Sequence, residues 1–199
     1  MRAALLVLIV TGTAYAQPPG QVQPMQPPPA ESVMTRRWSV SLSMGSLGVR
    51  PERDNADGVT FGMVELAGKF RIRPFVDIGL SFHGGGAGKG DLSTAGLYID
   101  GRYRFLAERP WNVWASLSLG VASVAAENQS DEAKQGRGSV RIGFGVERRF
   151  RAWAIHAELR LVGIGENKDF TPTEITPNNE MAKAKLNGGS LTVGGSFYF

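Results

Sequence analysis

The stretch Ser190-Leu191-Thr192-Val193-Gly194-Gly195-Ser196-Phe197-Tyr198-Phe199 alternates without a break. Leu191, Val193, Gly195, Phe197 and Phe199 share one face; Ser190, Thr192, Gly194, Ser196 and Tyr198 share the other. Successive side chains of a strand point to opposite faces, so a period of two reads as a strand with one apolar side. Seven earlier segments repeat the pattern. Trp38, Val40, Leu42 and Met44 oppose Ser39, Ser41, Ser43 and Gly45. Val64, Leu66, Gly68, Phe70 and Ile72 oppose Met63, Glu65, Ala67, Lys69 and Arg71. Val76, Ile78, Leu80 and Phe82 oppose Asp77, Gly79, Ser81 and His83. Leu97, Ile99, Gly101, Tyr103 and Phe105 oppose Gly96, Tyr98, Asp100, Arg102 and Arg104. The segments beginning at Trp111, Ser139 and Trp153 behave likewise, and carry Trp114, Arg141, Glu147, His156, Glu158 and Arg160 on their polar faces.

Segments of about ten residues have the length of a membrane-crossing strand. The connections sort by length. Tight turns are expected at Arg73-Pro74, around Ala107 to Pro110 and around Arg148 to Ala152. Long polar connections are expected at about 46–58, 84–93, 123–137 and 163–189. Short turns at one end and long loops at the other is the asymmetry of an outer-membrane barrel. The expected fold is therefore all-β: an eight-stranded antiparallel up-and-down transmembrane barrel over residues 35–199.

A lipocalin-type barrel would instead turn its apolar face inward. Two features favour apolar-out. The polar face is small-residue rich and broken by charges of both signs, which suits the narrow interior of an eight-stranded barrel. Large aromatics cluster at the short-turn end: Trp38, Phe70, Phe75, Tyr103, Phe105, Trp111, Phe150, Trp153, Phe197 and Phe199. Aromatic girdles of this kind mark a membrane interface. At the other end the girdle is thin, with Phe61 and Phe82 the expected members. Backbone groups in lipid have no partner outside the chain, so the first and last strands are expected to pair, which places both termini at the short-turn, periplasmic side.

Residues 1–16 read as a signal peptide: Met1-Arg2, an apolar run from Ala3 to Val10, and Ala14-x-Ala16 before the cleavage point. Residues 17–34 read as a Pro-rich periplasmic linker, holding six of the eleven prolines. The chain has 199 residues, 26 Gly, two His and no Cys. Thiol nucleophiles, thiolate metal sites and disulfides are excluded, and no cofactor or metal is expected. A net charge of +4, scattered along the chain, gives no reason to expect nucleic-acid binding. Mean hydropathy is −0.13, which averages two opposed faces.

The chain resembles the eight-stranded outer-membrane barrels of the OmpA transmembrane domain, OmpX and OmpW type. Thr192, Gly194, Phe197 and Phe199 match that group's C-terminal assembly signal, polar-x-Gly-x-x-aromatic-x-aromatic. The resemblance implies recognition by the barrel-assembly machinery, contact with outer-membrane lipid and lipopolysaccharide, a monomer, and long loops facing outside the cell. The implied role is structural, surface display or partner interaction, with the lumen plugged by Glu65, Lys69, Arg71, Asp77, Asp100, Arg102, Arg141, Glu147, His156, Glu158 and Arg160. A narrow OmpW-like channel for small solutes is the alternative. A lipid A-modifying enzyme is a third reading; it would need Ser, His and a carboxylate facing lipid, whereas Ser81, His83 and His156 read as inward. The run Gly84 to Asp91 lacks the spacing and the Ser/Thr of a phosphate loop.

Overall fold

The computed structural model describes residues 36–53, 57–88, 91–107, 109–126, 129–172 and 176–199. The expected signal peptide and Pro-rich linker lie outside these residues. The strands are β1 Trp38–Pro51, β2 Val59–Arg73, β3 Val76–Gly86, β4 Leu92–Arg104, β5 Trp111–Ala126, β6 Arg137–Arg149, β7 Trp153–Ile164 and β8 Leu186–Tyr198. A short helix, α1 Pro177–Lys183, stands between β7 and β8.

The eight strands form a closed barrel, each antiparallel to its neighbours. Closure joins β1 to β8, from Ser39 opposite Tyr198 to Pro51 opposite Leu186. At the seam Trp38 and Phe199 exchange both backbone hydrogen bonds, at 3.1 and 3.0 Å. No row of N–H and C=O groups is left open, which a wall facing hydrocarbon requires.

The two-residue period decides what faces where. The even-numbered residues of β1 and β2 face outward and the odd-numbered ones line the lumen. The outward side is an aliphatic belt. Ile99 is 67% exposed, Leu161 71% and Met44 67%. On β5 the outward apolar positions run from Trp111 to Val121, matching the about 9–11 residues a tilted strand needs to cross hydrocarbon. Among the described residues no helix is long and apolar enough to cross a membrane.

The strands extend further toward the long-loop end than the sequence suggests. β5 has 16 residues and β2 has 15. Parts of the expected loops, including Gly84–Gly86 and Ser46–Pro51, are strand. The cause is an inversion of polarity along several strands, β1, β2, β7 and β8 among them. On β1 the inward residues change from Ser39, Ser41 and Ser43 to Leu47 and Val49, while the outward ones change from Leu42 and Met44 to Ser46 and Gly48. The alternation continues, but its apolar partner changes face. Above the belt the barrel is therefore packed with apolar side chains inside. Leu47, Phe61, Met63, Leu92, Tyr98, Val124, Ile164 and Leu186 form that layer, and Met181 of α1 seats into it.

Two expectations are corrected here. Phe61 is not part of an outer girdle; it is fully buried in the apolar layer, because it shares the inward face of Met63 and Glu65. Phe82 does face outward, 53% exposed. The last connection, expected as a long polar loop at about 163–189, contains α1, with Met181 and Ala182 buried.

Candidate functional site

Below the apolar layer the lumen is filled by acidic and basic side chains. Glu65, Lys69, Arg71, Asp77, Asp100, Arg102, Arg141, Glu147, His156, Glu158 and Arg160 are all buried there. They form two groups. Nearer the short turns, Arg104 Nε donates to Asp77 Oδ2 at 2.6 Å, and its Nη1 pairs with Glu147. Arg71 Nε donates to the other oxygen of Asp77 at 3.2 Å. Arg149 pairs with Glu147 and donates to the Ala107 carbonyl at 2.6 Å. The Tyr198 hydroxyl donates to Glu147 at 2.9 Å.

At mid-height the pairs form a chain. Arg102 reaches Glu158 at 3.2 Å, and Arg160 bridges Glu158 at 2.9 Å to Glu65 at 2.8 Å. Arg141 then joins Glu65 at 2.9 Å, Asp100 at 3.3 Å and the Ser81 hydroxyl at 2.8 Å. Ser116 donates to Glu158 at 2.6 Å. Planar guanidinium groups suit such sharing, because one fork can serve two carboxylates. Their flat faces are also used: Arg141 lies 3.5 Å from the centroid of Tyr98, and Arg102 4.0 Å from that of Trp114. Lys69, in contrast, makes no direct ion pair among the described residues; its ammonium donates to the Ser41 hydroxyl at 3.5 Å.

Arg104, Arg149, Asn112 and Tyr198 belong to this network and were absent from the sequence-based set. The parity that marked Arg102 and Glu147 marks Arg104 and Arg149 equally, each two residues further along the same inward face.

The histidines do not assemble a nucleophile. His156 is held between Ser43, at 3.0 Å from Nε2, and Ser196, at 3.2 Å from Nδ1, inside the lumen. Glu158 binds Arg102, Arg160 and Ser116, not His156. His83 stacks on Tyr98, and neither of its ring nitrogens meets a partner among the described residues, while Ser81 serves Arg141. No three His, Asp or Glu side chains among the described residues gather as a metal site would need.

The aromatic set lies at the short-turn end. Trp38, Phe75, Tyr103, Phe105, Trp111, Trp153, Phe197 and Phe199 are exposed. Phe70 and Phe150 are half-buried against neighbouring rings, with centroids 4.8 Å from Trp38 and 3.9 Å from Trp153. Of the C-terminal motif, Thr192 points into the lumen and Phe197 and Phe199 point out. Gly194 lies so close to β1 that a Cβ would stand 2.3 Å from the Leu42 carbonyl oxygen.

At the long-loop end α1 is tied to the rim. Arg137 donates to the carbonyls of Ala184 at 2.8 Å and Met181 at 3.3 Å. Arg53 pairs with Glu180 at 3.2 Å and Lys185 with Glu52 at 2.7 Å. The Lys185 ammonium, by hydrogen bond and by charge, holds the Glu52 carboxyl below the usual carboxylate range.

No family model matches the sequence, and no curated protein matches it either. Solved structures do match. Neisserial surface protein A superposes with a TM-score of 0.61 at 16% identity, over 81% of this chain and 97% of that one. The outer membrane enzyme PagL gives 0.51 at 12% identity, over 78% and 97%. The outer membrane protein OprG from Pseudomonas aeruginosa gives 0.47 at 11% identity, over 82% and 97%. With a closed ring of eight antiparallel strands, a lumen of buried charges and an aliphatic outer wall, this chain has the fold of the eight-stranded outer-membrane β-barrels.

Proposed function

We propose that this chain is an integral outer-membrane protein whose barrel is closed to solutes and whose role is structural, or is carried by its long loops as surface display or contact with a partner. One observation carries the reading: paired charges fill the lumen, and an apolar layer with α1 seated on it covers them. The aliphatic belt suits lipid hydrocarbon, and water would penalise so much exposed apolar surface. The aromatic end is read as periplasmic, with both termini there, and the long loops as extracellular, against lipopolysaccharide. The C-terminal motif is read as the handle of the barrel-assembly machinery, and the barrel as a monomer. A non-enzymatic role is supported by Ser81, Ser43, His83 and His156 being buried in the lumen, away from any lipid acyl bond.

Planar-bilayer recording and gel migration test this together. The folded protein is expected to migrate differently before and after boiling and to give no single-channel steps. Reproducible steps would replace the closed barrel with the narrow channel. Identical migration, with the protein in the soluble periplasmic fraction, would overturn the membrane reading. Lipid A that gains or loses an acyl chain on expression would overturn the non-enzymatic one.

A further inference from the structure

The short-turn end carries arginine at every connection. Arg36 and Arg37 lead into β1, Arg73 stands at the β2–β3 turn, Arg109 lies in the β4–β5 turn, and Arg148 and Arg151 flank the β6–β7 turn. Arg37, Arg73, Arg109 and Arg151 are exposed; Arg36 and Arg148 are half-buried. They are distinct from the buried Arg71, Arg104 and Arg149, which pair with Asp77 and Glu147.

The sequence supplies little to offset them. The same connections and the approach to β1 hold Glu31 and Glu108, both outside the described residues. Even with these and the Phe199 carboxylate charged, the excess is basic. Arginine stays ionised at any working pH, so that excess is permanent. At the long-loop end, in contrast, the two signs mix and pair, as in Arg53 with Glu180 and Lys185 with Glu52.

The charges stand at the level of the girdle. Arg148 continues the outward face of β6 past Val146, and its guanidinium lies 5.2 Å from the centroid of the Trp111 ring. Arg36 donates from Nη1 to the Tyr198 carbonyl, beside the seam of Trp38 and Phe199. Tryptophan girdles mark the headgroup level of a bilayer, which is where lipid phosphates lie. A guanidinium fork meets two phosphate oxygens at once. The spread of the arginines around the circumference points the same way. A compact partner needs charge gathered on one side, whereas a leaflet surrounds the barrel on all sides.

We infer that these arginines form a collar that binds anionic phospholipid headgroups in the leaflet at the aromatic end. The inference rests on the membrane reading proposed above and goes beyond it by assigning the charge of the headgroup.

The full chain is folded into mixed vesicles of phosphatidylcholine and phosphatidylglycerol. One lipid at a time carries brominated acyl chains, and quenching of tryptophan fluorescence is read. Trp38, Trp111 and Trp153 are exposed in the girdle and report the lipid at that end, while Trp114 is buried in the lumen. Phosphatidylglycerol is expected to be preferred about fivefold, the factor that one basic side chain adds near an anionic surface. Arg37→Gln, Arg73→Gln and Arg109→Gln, combined in one variant, are expected to lower that preference about twofold or more. Lys134→Gln with Lys168→Gln, both exposed at the long-loop end, are expected to leave it unchanged. Heat-modifiable migration confirms that each variant is a barrel. Equal quenching by the two lipids in the unaltered chain, a preference unchanged in the arginine variant, or an equal fall in the lysine variant would overturn the collar. Equal quenching, with polyglutamate bound by the unaltered chain and not by the arginine variant, would assign the arginines to an acidic protein instead. No quenching by either lipid would overturn the membrane reading and the collar with it, so the two failures are told apart.

Discussion

Arg102 has one carboxylate partner, Glu158, among the described residues, and its guanidinium lies over the Trp114 ring. Glu158 is therefore the point at which the mid-height chain has least redundancy. Glu158→Ala leaves the buried Arg102 with no carboxylate in direct contact among the described residues, whereas Arg160 keeps Glu65. Stranding a buried charge costs about 3–5 kcal/mol. Asp100 differs: Arg141 contacts it at 3.3 Å but keeps Glu65, so Asp100→Ala is expected to cost clearly less. Urea titration of the barrel in lipid vesicles checks this, and equal costs for the two variants would sink the idea of a redundant network. Gly145 makes a different demand on its site. It faces Trp114 across the β5–β6 pair, and a Cβ there would lie 2.1 Å from the indole Cζ2. Gly145→Ala must push a fully buried Trp114 off its seat, which for an overpacked core costs about 1–3 kcal/mol. The same titration reads it as a lower unfolding midpoint.

The elements differ in how far they could be read from sequence. β8 was legible throughout its belt, because Leu191, Val193 and Phe197 keep one face without interruption. Its upper end was not. From Leu186 to Gly189 the apolar residue points inward, and the pattern reads as a loop to anyone expecting apolar-out. The same inversion hid the tops of β1 and β2, and it misplaced Phe61. α1 was missed because seven residues cannot show a 3.6-residue period. Its signals were local: Thr176 as the cap accepting from Asn179, and Pro177 at the first turn. Each element carries a test. Deleting Phe197–Phe199 removes the Trp38 seam bonds and the Tyr198 contact to Glu147, so the folded, heat-modifiable fraction is expected to fall sharply. Arg137→Ala frees the Met181 and Ala184 carbonyls from a charged donor, a contact of the kind that contributes about 1.5–3 kcal/mol. Hydrogen exchange is expected to quicken in 177–184 and to stay unchanged in the β2 and β3 ladder; quickening in both would mean that Arg137 holds the barrel rather than the helix.

On the scale of the whole molecule, the barrel is three stacked zones: an aromatic rim, an aliphatic belt over a charged lumen, and an upper section that is polar outside and apolar inside. Only the first two obey one rule of amphipathicity, which is why mean hydropathy looked unremarkable and why the belt seemed to end where the strands did not. The zoning makes the effect of a charge depend on height alone, for residues that are all exposed and all on strands. Ile99 and Ile142 face outward within the belt; Thr60 and Ser46 face outward above it. An arginine on the lipid face of a barrel costs about 2–4 kcal/mol near the bilayer mid-plane and about 0–1 at the interface. Ile99→Arg and Ile142→Arg are therefore expected to lower the unfolding free energy in vesicles by the larger amount, and Thr60→Arg and Ser46→Arg by the smaller. In water, an exposed isoleucine exchanged for arginine would cost little at either height. Four equal effects would thus mean that no hydrocarbon surrounds the belt, whatever the fold inside it.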